Sequence, residues 1–135
     1  MATNLEDIEG IEPTHASKLR DAGVSSVEAL LQTGSTRAGR TELAERTGIS
    51  HDLILRWVNH ADLFRIRGVA GEYSELLEAA GVDSVPELAR RNPDNLAEAL
   101  AQTNDEHKLV RQVPTAKQVA GWVSEAKTLQ RAVHH

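Results

Sequence analysis

Apolar residues recur along this chain at three- and four-residue spacing, and Gly or Pro breaks the pattern at short intervals. No segment alternates with period two over strand length, so the pattern predicts an all-α protein. Leu5 to Ile8 reads as a short first helix with Thr3 or Asn4 as its N-cap. Pro13 suits the first turn of a second helix, in which Ala16, Leu19 and Ala22 share a face and Gly23 is the stop. Ser25-x-x-Glu28 reads as a capping box for a third, carrying Val27, Leu30 and Leu31 and closed by Gly34. Ser35 to Gly39 reads as a loop, and Thr41 to Arg46 as a short helix ending at Gly48.

Ser50 then caps the longest pattern of the first half, in which Leu53, Ile54, Trp57, Val58 and Ala61 recur at helical spacing and lead through Leu63-Phe64 to Ile66. Beyond it a helix runs to Ala80 with Gly81 as the stop, and Ser84-x-x-Glu87 caps the helix of Leu88. Asn92-Pro93 starts another, with Leu96 and Leu100 inside. Thr103-Asn104-Asp105 reads as a turn, and Val113-Pro114 as the end of a short helix containing Leu109 and Val110. Thr115-x-x-Gln118 caps the last helix, which carries Val119, Trp122, Val123, Ala126 and Leu129.

The pattern occurs twice. Gly10-Ile11-Glu12-Pro13, Leu19 and Ala22-Gly23-Val24 return 58 residues later as Gly68-Val69-Ala70-Gly71, Leu77 and Ala80-Gly81-Val82. The offset holds through Leu30 and Leu88, which marks a duplicated supersecondary unit. Trp57-Val58 and Trp122-Val123 stand 65 apart, so the second copy has gained seven residues in its loops. The expected organisation is one domain of two fused units with pseudo-twofold symmetry, 1–60 and 61–133, joined by the helix around Trp57. His134-His135 read as the remnant of a purification tag.

Composition narrows the function. With no cysteine, disulfides, zinc–thiolate sites and cysteine nucleophiles are excluded. The amino terminus carries no basic region followed by an apolar run, and no run reaches bilayer length, so a cytoplasmic protein with no membrane contact is expected. Net charge is −5, which argues against a simple nucleic-acid coat. The charges are blocked, however. Residues 35–68 carry six bases against four acids and 107–135 five against one, whereas 1–34 and 69–106 are acidic. The basic blocks could meet phosphate, or the blocks could cancel one another within the chain.

Ile8-Glu9-Gly10-Ile11-Glu12-Pro13-Thr14-His15-Ala16-Ser17-Lys18-Leu19, with its counterpart Ile66-x-Gly68-Val69, resembles the helix-hairpin-helix motif of DNA-binding proteins. That resemblance implies a glycine hairpin whose backbone N–H groups, at the start of the second helix, hold a DNA phosphate without reading sequence. The physics is general, because unsatisfied amides at a helix start attract anions and glycine allows close approach. The longer run from Trp57-Val58-Asn59 through Ala80-Gly81-Val82 to Arg91-Asn92-Pro93 is similar to a bacterial family of unknown function built from tandem units of this kind.

The motif wants a second glycine where this chain has Glu12 and Ala70. A carboxylate at that place satisfies the amides a phosphate would use. The first hairpin (Gly10, Ile11, Glu12, Pro13, with Lys18 nearby) therefore reads as degenerate and self-capped. The second reads as usable, with Gly68, Val69, Ala70 and Gly71 supplying amides and Arg65, Arg67 and Arg56 the counter-charge. A purely structural hairpin is the other reading of the same residues.

Other chemistry finds little support. Gly68 to Tyr73 is similar to the hairpin of base-excision glycosylases, with Asp83 as the carboxylate, but a capping role accounts for Asp83. His15, His51, His60 and His107 lack metal-site spacing and read as surface residues. Trp57 and Trp122 read as core, and Tyr73 as the aromatic at the second hairpin's mouth. The leading expectation is a non-catalytic module, without metal or cofactor, that binds the DNA backbone weakly and in a salt-sensitive way. A protein-interaction or self-association scaffold, with a protein partner or a homo-oligomer, is the alternative.

Overall fold

A computed structural model describes residues 3–135; Met1 and Ala2, the start of the polar amino-terminal stretch, lie outside the described residues. Among the described residues the protein is all-helical, with one 3-10 turn at Leu5–Asp7, eight α-helices and no strand. The helices are α1 (Pro13–Asp21), α2 (Val27–Thr33), α3 (Arg37–Thr47), α4 (His51–Leu63), α5 (Gly71–Ala79), α6 (Val85–Ala89), α7 (Pro93–His107) and α8 (Ala116–Ala126). No helix among the described residues is long and apolar enough to cross a membrane. The chain divides into two compact units, Met1–Asp62 with Ala132–His135, and Leu63–Arg131.

In the first unit the 3-10 turn packs on α1 and α2 packs on α3. Ile54, Trp57, Val58 and Ala61 of α4 are buried, as their spacing predicts, with Leu5, Ile8, Leu19 and Leu30 also inside. The cap of α2 is Ser26, one residue later than the sequence suggested, and its hydroxyl accepts from the Ala29 amide at 3.0 Å. Glu28 is consequently free to act elsewhere. Its two oxygens accept from the amide and the hydroxyl of Thr3, both at 2.8 Å. Burial pushes the Glu28 carboxyl up, but the bonds from Thr3 outweigh it and hold the group below its ordinary value.

The expected loop at 35–39 is instead the start of α3. Thr36 caps it by accepting from Gly39 N at 3.1 Å. Gly39 is there for closeness and not for a turn, because a Cβ on it would collide with the carbonyl oxygen of Thr33. Gly48, at φ 73°, ends α3 as the pattern predicts. His60 lies fully buried and not on the surface, since the last turns of α4 are enclosed from Trp57 onward. The carboxyl end belongs to this unit: His134, read above as tag, donates its N–H to Ser35 O at 2.7 Å, and Val133 is buried.

In the second unit α5 packs on α7, and both α6 and α7 pack on α8. Leu63, the last residue of α4, joins a core with Ile66, Leu77, Leu88, Leu100 and Val123. Ser84, Asn92 and Thr115 cap α6, α7 and α8 as expected, and Thr115 and Gln118 form a reciprocal capping box. Asp83 is exposed and merely precedes the Ser84 cap. The turn expected at 103–105 is absent, because α7 runs on to His107 and Lys108 closes it in the left-handed conformation. Asn104 is buried, and its amide group takes both backbone groups of Val110 at 2.9 and 3.1 Å. Residues 109–114, expected as a short helix, are held by that side chain in an irregular path instead.

Two glycine-to-alanine changes should therefore have opposite signs. Gly39→Ala forces the Thr33 carbonyl away and should destabilise by about 1–3 kcal/mol, the usual cost of overpacking. Gly121→Ala, in the middle of α8 with nothing within 4 Å, should stabilise by roughly 0.5–1 kcal/mol. Urea unfolding of both variants checks the pair, and a Gly39→Ala variant that is not destabilised would show the packing of α2 on α3 to be misplaced.

Candidate functional site

Each unit places its hairpin glycine on a tryptophan. In the first, Gly10 has φ 96°, a conformation that side chains resist, and a Cβ there would meet Trp57 Nε1 at 3.5 Å. His15 of α1 packs on the same indole, ring centroids 5.0 Å apart. Trp57 is 1 % exposed, and its Nε1 finds no acceptor among the described residues. In the second, Gly68 has φ 89° and its Cβ would meet Trp122 Nε1 at 3.4 Å. Tyr73 packs on Trp122 at 5.4 Å and donates its hydroxyl to Gln112 O at 3.0 Å.

The two hairpins differ from expectation in how they are satisfied. Glu12 is the N-cap of α1 through its backbone, whose carbonyl accepts from Ala16 N at 2.9 Å, but its carboxylate makes no capping bond. The self-capped first hairpin is thus corrected. The reason is steric: good N-cap residues carry their acceptor on Cβ or Cγ, closer to the backbone than the Cδ carboxylate of Glu, and Pro13 offers no N–H at the next position. Ile11 N is taken by Ile8 O at 3.1 Å, and Lys18 stands exposed on α1.

In the second hairpin Val69 N is taken by Ile66 O at 3.0 Å, and Ala70 O accepts from Tyr73 and Ser74. Ala70 caps α5 with no side-chain bond, and Gly71 opens the helix at φ 27°. The amides of Gly71 and Glu72 have no partner among the described residues. Glu125 reaches this hairpin from α8, and its Oε1 accepts the Arg67 amide at 3.0 Å. The carboxylate that engages hairpin backbone is therefore Glu125 and not Glu12.

Beside Gly68 the second unit has a groove of about 420 Å³, lined by Arg67, Gly68, Lys117, Gln118, Gly121, Trp122 and Glu125. Lys117, Gly121 and Glu125 are four residues apart and lie along one face of α8. Gly121 has no side chain to fill the groove. Of the predicted cations only Arg67 lines it. Arg65 is committed to the chain itself, donating from Nη2 to Gln130 O at 2.8 Å. Arg56 lies half-buried on α4 with partners of its own. Lys117, Gln118, Gly121 and Glu125 were not anticipated, although the basic block 107–135 and a glycine inside a helical pattern are their traces in the sequence.

These contacts set the relative weight of two carboxylates. Glu12→Ala should change stability by no more than about 0.5 kcal/mol, the range of an uninvolved surface site. Glu125→Ala loses a bond to a backbone amide and should cost about 1 kcal/mol. Chemical denaturation of both variants gives the comparison, and a larger loss for Glu12→Ala would reinstate the self-capped hairpin.

No curated protein and no solved structure matches the chain. A family model described as a domain of unknown function (DUF4332) matches residues 9–129. That match takes in both hairpins, both tryptophans and the groove on α8, and the chain belongs to this family.

Proposed function

We propose that the second unit is a non-catalytic, sequence-independent binding module for the nucleic-acid backbone. On this reading the chain is a tandem pair of helix-hairpin-helix-like units in pseudo-twofold relation, and the second hairpin is the one that meets phosphate. The observation that supports it most is the open start of α5, where the Gly71 and Glu72 amides have no partner among the described residues and follow closely on Gly68, which lines a groove edged by Arg67 and Lys117. A helix start with free amides attracts an anion through both its N–H groups and its dipole. Arg67 and Lys117 add mobile positive charge, and a phosphate held this way needs no base-edge contact. Glu125 works against the arrangement, since its carboxylate sits on the Arg67 amide and in the groove wall.

Those opposing charges give the test. Fluorescence polarisation with a labelled random duplex at about 50 mM salt should show binding that weakens steeply as salt rises. Arg67→Ala with Lys117→Ala should lower affinity at least tenfold and reduce the salt slope by roughly two. Glu125→Ala should raise affinity despite its cost in stability. Gly121→Ala should bind more weakly although it folds more stably, because its methyl group enters the groove. Affinity unchanged in the Arg67 and Lys117 double variant, or no binding at low salt, overturns the reading and passes the lead to a protein-interaction scaffold.

A further inference from the structure

The first unit has a second, separate feature that the backbone-binding reading leaves unused. Among the described residues Arg40 is the one buried Arg or Lys, 2 % exposed. Its Nη1 donates to Gly34 O at 2.8 Å and its Nη2 to His134 O at 2.9 Å, while Nε has no partner. Both acceptors are neutral carbonyls, and no carboxylate pairs with it among the described residues. Burial, and then the positive charge of Arg37, push its pKa down from the ordinary guanidinium value. A guanidinium cannot escape by losing its proton at neutral pH, so the charge stays and lacks an anion.

Arg40 also lines a cavity of about 240 Å³ whose other walls are Arg37, His51, Leu55 and His135. Two of these five side chains are guanidinium groups and two are imidazoles, and none is acidic, in a chain whose net charge is −5. The backbone adds to the same sign. Arg37 is the first residue of α3 and His51 the first of α4, so two helix starts border the cavity with the positive ends of their dipoles. Arg37 forms no ion pair with the described residues and is exposed, so its guanidinium can turn to a ligand at no cost in native contacts.

We propose that this cavity binds a small phosphate dianion, free or as a phosphate monoester, held by Arg37, Arg40 and His51. A single carboxylate is served by one guanidinium fork, whereas donors converging from α3 and α4 suit the several oxygens of a tetrahedral anion. The volume takes a phosphate and a small organic substituent, not a drug-sized ligand. Leu55 gives the one apolar wall against which such a substituent can lie.

Calorimetry and thermal unfolding with inorganic phosphate and with glycerol phosphate, against sodium chloride of equal ionic strength, test the proposal. Saturable binding is expected, with a rise in Tm of about 5 °C at ten times Kd, since only the folded chain has the site. Arg37→Ala should weaken binding at least tenfold without lowering the Tm of the free protein. His135→Ala should leave affinity within about twofold, because α3 and α4 supply the charge. The Arg67 and Lys117 double variant should bind phosphate as the parent does, which separates this site from the groove on α8. Tighter binding of glycerol phosphate assigns the site to a monoester, and tighter binding of inorganic phosphate to the free ion. No saturable binding at millimolar phosphate, equal affinity in Arg37→Ala, or loss in His135→Ala alone overturns it.

Discussion

The indole of each long-range tryptophan, seated against a hairpin glycine, is the contact on which each unit depends. The chain has two Trp, one Tyr and one Phe, so few side chains are large enough to close a core over helices this short. Trp57 reaches back from α4 to Gly10, and Trp122 from α8 to Gly68. Each contact joins the start of its unit to a helix about fifty residues downstream, a separation that only the folded chain brings together. Glycine is required there for its backbone conformation, since a Cβ would find room at ordinary contact distance but would have to accept φ near +90°. The indole thus fixes the hairpin, and the hairpin in turn sets the start of α1 or α5.

The two indoles serve different surroundings. Trp57 is enclosed, with His15 on its ring and an unpartnered Nε1, a buried donor of the kind that costs about 1–3 kcal/mol. Trp122 is braced from one side by Tyr73 and on the other lines the groove with Lys117 and Gly121. An open groove beside Trp122 is possible because Gly121 gives up helix stability in the middle of α8. Alanine at that position would add helix stability and a methyl group in the groove.

Much of the fold was legible because its caps are local. Ser50, Ser84, Asn92 and Thr115 each mark a helix start through a bond three residues long, and sequence spacing carries that information. What was not legible depends on partners far along the chain. Ser25 has the capping-box spacing to Glu28, yet Ser26 is the cap and Glu28 is taken by Thr3, a partner 25 residues away. Gly39 resembles a loop residue until the Thr33 carbonyl is placed beside it. Asn104 has the composition of a turn, yet it extends α7 because its amide satisfies Val110. The candidate site followed the same rule: glycines and Arg67 were visible in the motif, while Glu125 and Lys117 arrive from α8, 58 and 50 residues after Arg67.

Two indole N–H resonances give the most direct view of whether the second hairpin and its groove meet a polyanion. In a 15N–1H correlation spectrum titrated with a short random duplex at low salt, the Trp122 Nε1–H signal should shift together with the amides of Arg67 to Glu72 and Lys117. The Trp57 Nε1–H signal, sealed beneath Gly10, should stay in place. Equal movement of both indoles, or shifts that leave Trp122 and the start of α5 untouched, would contradict a phosphate-binding second hairpin.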